Sequence, residues 1–122
     1  MPPAKELIIF TQTYDMLAWL LAQCERFPKS QRFAVTQRLQ NAALDFQEAI
    51  FHANARKGLQ RLHHLQAADA HLNSLRLYLR LAHRFAWLTS GQYEHISRMV
   101  AQTGKLLGGW IKQTESSLTA TP

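Results

Sequence analysis

The sequence predicts an all-α chain folded as an up-down-up-down antiparallel four-helix bundle. Three observations predict it. Leu, Ala, Gln, Arg and His dominate while runs of Val, Ile and Thr are missing, a balance that favours helix over strand. Apolar residues recur at three- and four-residue steps along four segments of comparable length. The breaks between segments are short, which makes consecutive helices antiparallel neighbours. At 122 residues the chain is one domain, large enough to bury a core without disulfides or a structural metal. The bundle is expected over 1–113 and a disordered tail over 114–122.

The first helix is expected from about Lys5 to Arg26, with Leu7, Tyr14, Leu17, Leu21 and Cys24 along one stripe, and Pro28 ends it. Ser30 is a candidate N-cap for the second helix. That helix carries Val35, Leu39, Ala42, Phe46, Ile50 and Ala53 on one side and Arg38, Asp45, Glu48, His52 and Arg56 on the other. Between Lys57 and Leu65, Gly58 and a lost period mark the second connection. The third helix runs from about Gln66 to Leu88. Thr89, three residues before Gln92 in capping-box spacing, opens the fourth, which reaches about Gln113. The remaining TESSLTATP reads as disordered.

Helix three is too apolar for one core. Leu72, Leu75, Leu79, Ala82 and Ala86 form a stripe, and Leu77, Tyr78, Leu81, Phe85 and Leu88 carry the apolar surface well past half the circumference. Either loops or the tail cover the extra side or helix three is the central helix of its bundle, or Leu77, Tyr78, Leu81 and Phe85 form a subunit interface, the usual solution for such a patch.

A net charge of +6 and a pI near 10.0 suit polyanions. Arg76, Arg80 and Arg84 stand four apart on one face, and His95, Arg98, Gln102, Lys105 and Lys112 form a second row. Each row is either a solvated face or a contact for an acidic partner, nucleic-acid backbone first and an acidic protein second. In FPKSQRF, Lys29 and Arg32 sit where a helix begins, an end whose partial positive charge favours anions. They either extend the polyanion surface or face water.

Signals for catalysis are missing: there is no H-E-x-x-H, no Gly-rich loop after a strand and no nucleophile elbow. No enzyme, cofactor or metal is expected. His63 and His64 are adjacent and so diverge on a helix, and Asp45 with Glu48 reads as part of a surface ion-pair ladder with Arg38 and His52. The single Cys24 excludes an internal disulfide and fits a reducing compartment. No apolar run reaches the ~20 residues of a membrane span, so a cytoplasmic protein is expected. Gly104, Gly108 and Gly109 each cost ~1 kcal/mol inside a helix. Either helix four ends at Gly108 or another backbone packs close there, with Trp110 favouring continued packing.

YDMLAW at Tyr14–Trp19, FPKSQRF at Phe27–Phe33, Gln37-Arg38, YEHIS at Tyr93–Ser97 and GKLLGGWIK at Gly104–Lys112 form a set spanning most of the chain. It resembles the accessory variability determinant (Avd) proteins of diversity-generating retroelements. A looser similarity extends to the four-helix-bundle proteins encoded by 23S ribosomal RNA intervening sequences. The resemblance implies a barrel-like homopentamer of basic bundles. It also implies binding of the retroelement's reverse transcriptase and of RNA or DNA during mutagenic retrohoming, with no catalysis of its own. It transfers no individual functional residue. The expected contacts for nucleic acid or polymerase, Arg76, Arg80, Arg84, Arg98, Lys105, Lys112, Lys29 and Arg32, rest on charge and spacing alone. The alternative is a basic bundle associated with ribosomal RNA that has no polymerase partner.

Overall fold

The computed structural model describes residues 4–120, with side chains from residue 8 onward. Helix α1 spans Ala4–Cys24, α2 Val35–Asn54, α3 Gly58–Arg84 and α4 Ser90–Thr119, with a 3-10 turn at Lys29–Gln31 before α2. Among the described residues there is no strand. Among the described residues the close backbone approaches are between sequence neighbours and between α1 and α4, which is the square section of an up-down-up-down bundle. The α2–α3 contact is the most extensive. Ala42, Ala43, Ala49 and Ala53 of α2 and Ala68 and Ala82 of α3 are all buried, and small side chains let helix axes approach closely.

The core is filled by Ile9, Met16 and Leu20 from α1, Leu39, Phe46 and Ile50 from α2, Leu65, Leu72, Leu75 and Leu79 from α3, and Ile96 and Leu107 from α4. Each such side chain contributes ~1.5–3 kcal/mol of burial. The expected stripe of α2 is buried from Leu39 to Ala53. On α1 the phase differs: Leu17 and Cys24 are buried, but Tyr14 is 71% exposed and Thr13 and Met16 take the inward places. The side chain of Leu7 lies outside the described residues.

Boundaries differ at four places, each for a local reason. Ser30 does not cap α2. It lies in the 3-10 turn, where the N–H groups of Gln31, Arg32 and Ala34 donate to the carbonyls of Pro28, Lys29 and Gln31, and the helix opens only after Ala34, without a side-chain cap. α3 begins eight residues early, because Gly58 makes the reversal at a φ of 61° and Leu62 and Leu65 already continue its buried row. The guanidinium of Arg61 then ties the ends together, donating to the carbonyls of Ala53 at 3.0 Å and Asn54 at 3.4 Å while lying over the Trp110 ring.

α3 stops at Arg84, not Leu88. The Trp87 N–H donates to the Ala82 carbonyl and the Ala86 N–H to that of His83, a Schellman motif whose left-handed position is held by Ala86 at a φ of 61°. Ala86 is therefore exposed and off the core stripe. The expected capping box is present: Gln92 N–H donates to Thr89 Oγ1 and Thr89 N–H to Gln92 Oε1. Residues 114–119, expected as disordered tail, are helical. Thr114 is buried and donates to the Trp110 carbonyl, and Leu118 approaches the start of α3 at Gly58. Residues 121–122 of that tail lie outside the described residues. Among the described residues, no helix is long and apolar enough to cross a membrane.

Candidate nucleic-acid interface

The eight cations expected to form a binding surface separate into three groups. Arg76, Arg80 and Arg84 occupy successive turns of α3, on the flank next to α4. Arg76 is half-buried: its Nη1 donates to Asn73 Oδ1 at 2.7 Å, and its Nη2 reaches across to α4, 2.6 Å from where a Cβ on Gly104 would stand. Arg80 and Arg84 are exposed.

These arginines line a groove between α3 and α4. Its upper part, about 580 Å³, is bounded by Leu77, Leu81, Arg80, Arg84, His83 and Tyr93. Its continuation, about 190 Å³, shares Arg80 and Tyr93 and runs past Arg76 to Ser97 and Ala101. His83 stacks flat on Tyr93, with ring centroids 4.4 Å apart, and fixes the groove wall. No carboxylate lines either part. At ~100° per residue, the arginine row gives way round α3 to Leu77, Leu81 and Phe85, and then to Tyr78 toward α2. Leu77 is 51% and Phe85 60% exposed, whereas Leu81 and Tyr78 are half-buried. Loops do not cover this face. The basic strip and the apolar excess are adjoining rows of one surface, which sequence spacing could suggest but not join to Tyr93.

The second group lies on α4; in the same row the His95 ring is tilted against Trp19 with centroids 4.9 Å apart, and Gln102 lines a small cavity with Gln12 and Asp15 of α1. Arg98 is paired with Glu94, both exposed, and that is the one ion pair among the described residues. Lys105 and Lys112 are exposed, but Lys112 sits ~30 Å along α4 from its first turn, remote from Arg84. The third group, Lys29 and Arg32, belongs to the turn before α2. There they line a separate cavity of about 360 Å³ with Cys24, Glu25, Thr36 and Gln40. Nothing in the sequence marks Thr36 or Gln40 as its members.

Other expectations resolve differently. Asp45 and Glu48 are exposed and form no ladder with Arg38 and His52. His52 Nδ1 instead accepts from Arg56 Nη1 at 3.3 Å, and its ring stacks on that of His64 at 5.3 Å. Burial, then the charges of Arg56, His52 and His63, holds the His64 imidazole below its usual pKa of 6.5. No group of three His, Cys, Asp or Glu among the described residues could hold a metal ion. α4 runs unbroken through Gly108 and Gly109, and a Cβ at either would meet nothing within 4 Å. Neither explanation expected for that pair holds within the chain.

A family model described as bAvd-like matches residues 7–114. Among solved structures, a protein of unknown function from the S23 ribosomal protein family of Bacteroides thetaiotaomicron superposes with a TM-score of 0.81 at 19% identity, covering 88% of this chain and 98% of that one. At that identity it shows the fold. No curated protein matches the chain.

Proposed function

The chain belongs to the bAvd-like family, and from that premise we propose that it is a non-catalytic accessory protein of a diversity-generating retroelement. It binds the element's reverse transcriptase together with template RNA or cDNA. The observation that carries this reading is the α3–α4 groove, where Arg80 and Arg84 are exposed on successive turns beside the half-buried Arg76, with no carboxylate among the lining residues. Like charges four residues apart on a helix repel by a few tenths of a kcal/mol per pair, and a polyanion removes that penalty.

The subunits assemble as a ring-like homopentamer. A cyclic ring needs two different complementary surfaces on each subunit. The apolar row of Leu77, Leu81 and Phe85 supplies one. The bare strip at Gly108 and Gly109 on α4, open to a neighbour's backbone, supplies the other. The arginine row beside them is then repeated around the ring.

Co-expression with the cognate polymerase tests the reading. Arg80→Glu with Arg84→Glu should abolish co-purification while circular dichroism stays fully helical, because both side chains are exposed. Retained polymerase would refute the groove assignment. The fold likeness to an S23-family protein supports a second reading, a ribosomal-RNA-associated bundle. Salt-sensitive RNA binding with no polymerase captured, and no polymerase gene nearby, would favour it.

A further inference from the structure

We propose that the end of the bundle carrying the α1–α2 and α3–α4 turns is a stacking platform for an unpaired base of single-stranded nucleic acid. Phe85 is the ring that meets the base, and the cations around it meet the flanking phosphates. This deepens the nucleic-acid half of the function above and rests on it. In an up-down-up-down bundle the C-terminal ends of α1 and α3 lie at the same end, so the two turns are neighbours there. Three aromatic rings join them. Phe85 stacks on Trp87 with centroids 5.5 Å apart and planes 24° from parallel, and Trp87 in turn tilts against Phe27 at 5.7 Å. Phe27 is buried and Trp87 packs half-buried against the core, whereas Phe85 is 60% exposed. The ladder is thus anchored at one end and open at the other.

Residues two apart on a helix point about 200° away from each other and do not stack. Here the left-handed backbone at Ala86 breaks the helix just after Phe85 and folds Trp87 back beside it. One face of the Phe85 ring is supported by Trp87, and a ring left mostly in water adds little burial to the fold. Charge selects the occupant. Over residues 25–34 and 84–93 the chain holds Arg26, Lys29, Arg32 and Arg84, all exposed, against Glu25 alone. An acidic peptide matches that charge, but a nucleic-acid strand matches both the charge and the flat ring, because every base has a π-face to lay on it. A duplex keeps its base faces inside the stack, so the platform takes a single strand.

Fluorescence anisotropy with the intact protein tests this by comparing a short labelled single strand with one of equal length and charge whose central bases are replaced by abasic sites. The base-bearing strand should bind roughly fivefold tighter or more, the scale of one base stacked on an aromatic ring. Phe85 also closes the apolar row assigned to the subunit contact, and Phe85→Leu separates the two roles by keeping the apolar bulk while removing the π-face. It should bring the two affinities together, with the abasic affinity and the mass by light scattering unchanged. Phe85→Tyr should keep the preference, and Arg84→Gln should weaken both strands alike. Equal wild-type affinity for the two strands, or a preference that survives Phe85→Leu, would overturn the platform and leave Phe85 to the subunit contact, with the α3–α4 groove reading intact. Failure of both strands to bind the wild type would refute the nucleic-acid reading and the platform with it.

Discussion

Replacing Gly108 and Gly109 with alanine separates a role inside the subunit from one between subunits. Both glycines lie within α4, and a methyl group at either would meet nothing within 4 Å. Within one subunit the double replacement should therefore gain the full helix propensity, ~1 kcal/mol per position and ~2 kcal/mol in all. For a chain of this length that corresponds to a rise in Tm of roughly 6–10 °C. If a neighbour's backbone lies against the strip, the methyls hold it away and the ring weakens. We expect the second outcome, a lower mass by light scattering with helix content unchanged by circular dichroism. An unchanged mass with the raised Tm would refute the interfacial role. An unchanged mass with a lowered Tm would refute the open space itself.

Ala86→Gly should stabilise the chain by ~1 kcal/mol in urea denaturation, because the left-handed backbone at a φ of 61° is strained for alanine and ordinary for glycine. Arg61→Met should destabilise it by roughly 1–3 kcal/mol in the same assay, losing two hydrogen bonds to the end of α2 and the cation over Trp110. For His64 the folded imidazole titrates below the ordinary 6.5, so the unfolded chain takes up the proton first. Its contribution to stability is present above pH 6.5 and is lost as the pH falls through the lower folded value. NMR titration should place the His64 midpoint below 6.5, and Arg56→Gln should raise it by removing one of the charges that depress it.

Helix type and topology were legible because they rest on repetition. From Leu39 to Ala53 the period of α2 is uninterrupted, and every expected inward residue is buried. Thr89 and Gln92 carried a mechanism in their identities, and the box formed. What was not legible depends on contacts distant in sequence or on backbone states that residue identity does not reveal. Gly58 looked like a loop residue and is instead the pivot at which α3 starts. Ala86 gave no sign of a helix end, since glycine is the residue that normally marks it. The tail from Gln113 lacked apolar periodicity, yet Thr114 and Leu118 find partners on Trp110 and beside Gly58. The arginine row was visible from spacing alone, but its pairing with Tyr93 and Gly104 needed the α3–α4 contact.

The fold leaves its charges unusually uncompensated, and this links stability to function. Fourteen Lys and Arg face eight Asp and Glu, and the described residues contain one ion pair, Arg98–Glu94. α2, α3 and α4 have no acidic residue in their first turns, each forgoing ~0.3–1 kcal/mol of favourable interaction with the helix dipole. A bundle of this size holds only about 5–15 kcal/mol in total, so these omissions are a sizeable share. They are tolerable if the charge is neutralised from outside, in which case the anion that occupies the groove also stabilises the subunit by mass action. The same rows of cations that oppose folding in isolation then favour the folded chain once the polyanion is bound, and salt must act in opposite directions on the two states: raising the stability of the free protein by screening, and lowering the affinity of the complex by counterion competition.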